Sequence, residues 1–541
     1  MYNVFEWFEL EMGKENNMRS IKSRLFLCMI IAVGIFGCRA LQPSFINNNA
    51  GKGTVEDGGE MITPSIEAGT AQDTAPTDTP MPSITFQPLT PRILPDGGAL
   101  ESQGPWMMLE SGAGFWFVSA TGEELGFFPV PPPFSYGTAT PAPRGALLGL
   151  VLSDYGEKIK VLQVYSLTEN KVLYEQDLLD YTGGGLSFDN EQDARDFEAD
   201  REAAVGQMAW SSDGAQLAFV SSHAGPSPDL YVLDVNSWEV RRLTSGPSHA
   251  VGLNWSPDNA DIFHAGVDKM YVGYSGAGYQ GWVFYAAAAD GSEVITTGEG
   301  MEDIGGETTV GWYSPQQALM VSDFWWCGMF DMRMVNIKTG EKSVIWKSQF
   351  DDFAYAPAAK RILVWSSAGE TQGEECGSKY GSGLYMLELP SGAPEKLMDF
   401  PEETIVEVTY SEAGNLFKVK SVLPKMPHEW ITVDMDGRVE NYDGEPFFSP
   451  DGGSYALLDP SQTNLQVFLA NGSAYVVVQG GEVLFPEWAP DGSGLFYFLR
   501  EIGADGRFDL YFWTSSPGSQ VNPVYSDFFG KYDAQPIWVF P

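Results

Sequence analysis

Among the groups able to move protons, carboxylates dominate: the chain carries 72 Asp and Glu against 31 Lys and Arg, with only 4 histidines. Two carboxylates flanking a scissile bond can serve as acid and base, as in glycoside hydrolysis, yet among so many acids no pairing in sequence stands out. His223, His249, His264 and His428 are scattered. With no His-Glu-x-x-His pair and no cysteine cluster, a zinc site would have to gather ligands from distant segments. The nearest approach to a serine nucleophile elbow, Gly273-Tyr-Ser-Gly-Ala277, lacks its last glycine. Local motifs therefore lead to no expected catalytic residue, metal or cofactor.

Recognition has stronger candidates. Tyr271, Tyr274, Tyr279, Trp282, Trp325, Trp326 and Tyr380 lie among glycines in three long connections, near 266–282, 323–331 and 367–383. Aromatic rings on glycine-rich loops over a rigid scaffold suit a sugar ring or a peptide. The same rings could instead pack on one another beneath the loops. An insertion at 189–204 reads as an acidic helix anchored by Phe188 and Phe197. Its Asp189, Asp193, Asp196 and Asp200 are expected on a solvated face, because no cation-loop motif surrounds them.

The cysteines divide into two pairs. Cys28 and Cys38 belong to an N-terminal address: Arg19, Lys22 and Arg24 precede a twelve-residue apolar run, 25–36, too short to span a bilayer comfortably. The run ends Ile35-Phe36-Gly37-Cys38, which resembles a bacterial lipobox. That resemblance implies a signal peptide over 1–37, lipidation at Cys38 and a folded part held outside the cytoplasm at the bacterial cell envelope. Residues 38–100, rich in Thr, Pro, Ser and Gly, read as a disordered tether with a reach on the order of 40 Å. Cys327 and Cys376 fall in equivalent loops of consecutive repeats. In an oxidising compartment they can form a disulfide, or remain two buried thiols.

These candidates need elements to hold them, and the elements repeat. Trp210-Ser-Ser-Asp-Gly214 recurs as Trp255-Ser-Pro-Asp-Asn259, Phe448-Ser-Pro-Asp-Gly452 and Trp488-Ala-Pro-Asp-Gly492, with degraded copies at Trp312, Tyr355 and Tyr410 and a last one at Trp538. The mean period is about 47 residues, the length of one four-stranded blade. Within a repeat, short β-rich runs are bounded by turn residues such as Asp213-Gly214, and tight Gly and Asn turns join the third and fourth strands. The set near 106–128 lacks an inner strand, while the chain ends on an orphan, 536–540. Pairing the two would close a ring and remove exposed strand edges.

Trp-Ser-Pro-Asp-Gly followed by Ala-Phe-Val and Asp-Leu-Tyr-Val-Leu-Asp resembles the TolB-like, WD-type propeller repeat. The resemblance covers most of 101–541 and implies an all-β fold: a single large β-propeller of eight or nine four-stranded blades. Unlike TolB, the chain shows no separate N-terminal domain. The motif aspartates Asp213, Asp258, Asp451 and Asp491 are expected to form turns.

Formal charge is −41, which argues against a nucleic-acid ligand, since neutralising phosphates requires clustered Lys and Arg. Propellers host many unrelated functions, so the fold leaves function open. Prolyl-oligopeptidase-type enzymes carry such rings, but their activity resides in an attached hydrolase domain, and only three residues follow Trp538. The expectation is a monomeric, lipid-anchored, non-enzymatic binding or scaffold module for an envelope protein, peptide or glycan. The alternative is a propeller hydrolase or lyase with carboxylates around the central channel. Convergent acids at the channel mouth would favour the second, an exposed aromatic rim the first.

Overall fold

Short runs of Val, Ile, Phe and Tyr, each ended by a turn that bends the chain back, can bury their apolar faces only by stacking sheet on sheet. The computed structural model of the protein describes residues 100, 103–111, 113–130, 133–154, 159–179, 198–199, 201–273, 276–280, 283–299, 306–324, 328–367, 380–400, 405–421, 429–500, 508–514, 521–528 and 536–541. They form nine four-stranded antiparallel blades of a β-propeller, with one extra two-stranded hairpin.

In chain order, blades 2 to 9 span 135–177, 208–242, 249–299, 306–347, 352–398, 406–442, 445–479 and 482–528. Each begins with its inner strand. Blade 1 is composite: its three outer strands span 106–129, and its inner strand is Ile537–Val539 from the other end of the chain. Trp106 stands opposite Val539 and Met108 opposite Ile537, so the orphan strand closes the ring as the sequence implied. The blade count resolves to nine. The extra hairpin, Lys269–Gly273 with Gly276–Gln280, is inserted between the second and third strands of blade 4.

The repeat motif has two jobs in the structure. Its Ser-x-Asp-Gly part builds the turn out of the inner strand: Ser211, Ser256 and Ser449 donate their hydroxyls to Asp213, Asp258 and Asp451 at 2.7, 2.7 and 2.6 Å. The fifth motif position has φ of +70° at Gly214, +59° at Asn259, +67° at Gly452 and +70° at Gly492. Only Gly and Asn enter that left-handed region readily, which explains their presence. The aspartates are thus turn formers.

Its aromatic part latches one blade to the one before. Trp210 Nε1 donates to Thr140 O (2.9 Å), Trp255 Nε1 to Ala209 O (2.8 Å), Tyr355 Oη to Trp312 O (2.9 Å) and Trp488 Nε1 to Phe447 O (2.9 Å). Ala209 and Phe447 immediately precede the motif aromatics Trp210 and Phe448 of their own blades. The closing seam uses the same position, Glu487 before Trp488, but there the side chain accepts: Trp538 Nε1 donates to Glu487 Oε1 at 3.2 Å.

Between the blades lie apolar cores. Separate clusters of buried residues fill the seams between blades 1 and 2, 2 and 3, 3 and 4, 4 and 5, 5 and 6, 6 and 7, 8 and 9, and 9 and 1. Each fully buried large apolar side chain contributes roughly 1.5–3 kcal/mol. The buried apolar side chains of blades 7 and 8 among the described residues, Trp430 and Pro446 aside, all belong to the flanking cores of blades 6–7 or 8–9. The seam between blades 7 and 8 therefore has no apolar core among the described residues.

Candidate functional site

Inner strands line a propeller's channel, so a charged residue there is placed where a ligand can meet it. Five consecutive inner strands carry a carboxylate at their first or second residue: Glu307 in Gly306–Ser314, Asp352 in Asp352–Ala356, Glu407 in Val406–Ser411, Glu445 in Glu445–Phe448 and Glu482 in Glu482–Trp488. The inner strands of blades 1 to 4 carry no acid. These five positions form one arc, on the end of the ring from which the connections after the second strands leave. Sequence reading missed this pattern, which shows only once the inner strands are aligned on one another.

Within the arc the carboxylates differ in partners. Glu445 Oε1 is 2.9 Å from Lys418 Nζ, and Glu482 accepts from Arg500 Nε at 2.7 Å and from its Nη2. Both acids are neutralised in place. Among the described residues no cation is paired with Asp352. Its Oδ2 accepts the Val408 N–H at 2.6 Å from the inner strand of blade 7, and its Oδ1 the Phe353 N–H at 2.9 Å. Burial pushes its carboxyl up to about 7 against those hydrogen bonds, and the charges of Glu407 and Asp351 add to the rise. Asp351, which accepts the Ser367 N–H at 2.5 Å, is also raised, chiefly by desolvation. A carboxyl near 7 beside a second carboxylate is poised to exchange a proton at neutral pH.

A polar network on the same end of blade 3 has a different role. Asp229, fully buried, accepts from Arg242 Nη2 (2.5 Å), the Gly246 N–H (2.7 Å) and Thr244 Oγ1 (3.1 Å). It ties the end of the blade to the connection leading to blade 4. Nearby, Ser221 Oγ lies 2.9 Å from His223 Nδ1, a distance that suits a nucleophile and its base. That hydroxyl is fully buried, donates to Leu178 O at 3.1 Å and accepts the His223 N–H, so the contact is a local turn. His264 is buried, stacked on Tyr285 and pushed down to about 4 by burial. Among the described residues no group of three His, Cys, Asp or Glu is arranged to hold a metal ion.

The aromatic face expected from sequence is only partly within view. Tyr271 and Tyr279 belong to the inserted hairpin of blade 4, facing Gly278 and Met270 in register. Tyr380 is half-buried against Trp346 (4.4 Å) and Tyr385 (5.6 Å), in the packed arrangement. Tyr274, Trp282, Trp325 and Trp326 lie outside the described residues, as do Cys38, Cys327, Cys376, His428 and the acidic segment 189–197 with Asp200. The end of that segment is helical at 198–199 and 201–204, as expected. Lys160 Nζ donates to its Glu202 and Val205 carbonyls at 2.6 and 2.9 Å.

No family model matches the chain. A stretch of 53 residues is 40% identical to an uncharacterized peptidase, YuxL, of Bacillus subtilis (strain 168); it covers 10% of this chain and 8% of that protein. Among solved structures, dipeptidyl peptidase 4 of Porphyromonas gingivalis is similar at 11% identity and a TM-score of 0.45, covering 77% of this chain and 65% of that one. TolB of Acinetobacter baumannii is similar at 13% identity and a TM-score of 0.24, covering 74% and 81%. The peptidase match corrects the functional expectation: the non-enzymatic binding or scaffold reading gives way to the hydrolase alternative.

Proposed function

We propose that this β-propeller hydrolyses peptides, with Asp352 and Glu407 as the proton-transferring pair at the channel mouth. The observation that carries the reading is Asp352 itself: a carboxyl held near 7 on an inner strand, with no cation paired to it among the described residues, beside Glu407 of the next blade. In this scheme Glu407 takes a proton from the attacking water while Asp352, protonated, delivers one to the departing amine. Peptide is preferred over glycan as substrate because the matched relative is called a peptidase. Purified full-length protein is tested on a mixed peptide library by mass spectrometry, beside Asp352→Asn and Glu407→Gln. Cleavage by the native chain that both variants lose supports the assignment. Cleavage that survives both, or a native chain that cleaves oligosaccharides and no peptide, overturns it.

The same proposal places the enzyme at the bacterial envelope, lipidated at Cys38. The support is the sequence Ile35-Phe36-Gly37-Cys38 after its apolar run. Cys38→Ala should abolish incorporation of a labelled fatty acid; retained label would remove the anchor from the reading.

A further inference from the structure

Blades 7 and 8 meet differently from the other pairs. Their seam has no apolar core among the described residues, and it also lacks a latch, because the motif aromatic of blade 8 is Phe448, which has no N–H or O–H to give. The position that would accept such a bond, by analogy with Ala209 and Phe447, is the carbonyl of Thr409, just before Tyr410. What spans the seam instead is polar and aromatic. Lys418 of blade 7 reaches Glu445 of blade 8 at 2.9 Å, with side chains 17% and 28% exposed. Its ammonium lies 5.4 Å from the ring of Trp430. Tyr442 of blade 7 touches the rings of Phe448 and Tyr455 at 6.4 and 5.6 Å, all three half-buried.

Two devices that hold blades together elsewhere are thus missing at one seam. Other seams lack at most one. Tyr410, for instance, spends its hydroxyl on Asn415 within its own blade, but the seam between blades 6 and 7 keeps its apolar core and gains the hydrogen bond from the Val408 N–H to Asp352. In a ring of modular blades, each touching only its neighbours, an opening fluctuation takes the seam that costs least. The strand exchange that closes blade 1 is not that seam: it has cores on both sides, between blades 9 and 1 and between blades 1 and 2.

We propose that the ring opens between blades 7 and 8. Resting on the assignment of Asp352 and Glu407 above, such an opening gives a peptide a lateral way to the channel, since Glu407 lies on the inner strand of blade 7 itself. A bridge made of an ion pair also makes the opening sensitive to salt.

Peptide-resolved hydrogen exchange on the full chain, without any substrate, tests the opening. Segments 406–421 and 445–458 should exchange about tenfold faster than 208–221 and 249–267, and the excess should grow with added sodium chloride. Phe448→Trp supplies an indole N–H to Thr409 O and should slow the two segments by about tenfold, the worth of one hydrogen bond. Glu445→Gln should speed them. Equal exchange across the blades overturns the proposal, and so does indifference to both substitutions. Because exchange needs no substrate, its failure leaves the peptidase reading standing, and an inactive protein leaves the opening standing. Where cleavage is found, Phe448→Trp should lower kcat/KM in step with exchange; a slowed exchange with unchanged cleavage overturns the route while keeping the opening.

Discussion

Trp538 donates its indole N–H to Glu487 Oε1, so the last seam of the ring is locked by a side chain at the position where the seams closed by Trp255 and Trp488 use a main-chain carbonyl. The choice has a cost in pH range. Glu487 is pushed up from 4.5 to about 7, mainly by burial, while the Trp538 indole and the Lys418 charge pull the other way. The folded state holds this proton more tightly than the unfolded chain does. Stability is therefore fully present below the unfolded value and falls as pH rises through the interval, until the folded group has ionised too. Glu487→Gln keeps an oxygen acceptor and removes the titration. It should match the native protein at about pH 4.5 and exceed it by about 2 kcal/mol at about pH 8, discounting for partial exposure. Urea midpoints at the two pH values measure the difference; a native protein no less stable at the higher value would contradict it.

The latches themselves can be weighed. Trp255→Phe keeps most of the ring and its packing but removes the N–H that meets Ala209 O at 2.8 Å. The carbonyl left behind is partly buried, so the expected loss is about 1–2 kcal/mol. Phe448 makes a natural control. Phe448→Leu removes no hydrogen bond, and it should leave the latch contribution of Trp488 to Phe447 O intact. Thermal unfolding of Trp255→Phe indistinguishable from the native chain would show that the recurring bond is incidental to stability.

Asp229 should be the costliest single polar change. With Arg242, Thr244 and Gly246 all donating to a fully buried carboxylate, Asp229→Ala leaves a backbone N–H without its acceptor and a guanidinium, still bonded to Thr244 O, without its counter-charge. Breaking one side of such a buried pair typically costs about 3–5 kcal/mol. Asp229→Asn retains an acceptor oxygen and should lose less. Equal losses in the two variants would mean that charge, and not acceptor geometry, carries the site.

Much of this architecture was legible because it is local and repeated. Trp210-Ser-Ser-Asp-Gly214 states an inner-strand end, a turn and a left-handed residue within five positions, and it recurs often enough to count blades to within one. Closure by 536–540 followed from one unpaired set of strands and one orphan. The site was less legible because its residues share no local pattern. Asp352 is one acid among 72 until its strand is laid beside Val406–Ser411, and its raised pKa depends on burial and on the charges of Glu407 and Asp351, an environment that sequence does not place. The aromatic loops were ambiguous for a related reason: a ring such as Tyr380 is as useful under a loop, against Trp346, as above it. The polar seam between blades 7 and 8 was written in the alternation of Lys418 and Lys420 with Phe417 and Val419. It acquires meaning only when the other seams prove apolar.

The proton on Asp352 gives the assignment of function its sharpest pH signature. With the carboxyl near 7 and raised first by burial, then by Glu407 and Asp351, the acid form needed to protonate a leaving amine is depleted as pH rises through about 7. Cleavage should therefore decline across that interval. Asp352→Asn cannot donate in the same way and should lose about 10²–10⁴-fold in kcat, as is usual for removal of a general acid. Glu407→Gln removes one of the charges that raise Asp352, so whatever activity it retains should show the alkaline limb moved to lower pH. A profile flat from about pH 6 to about pH 8, or a limb unmoved in Glu407→Gln, would separate Asp352 from the chemistry and leave it as the residue that pins the Val408 N–H between two blades.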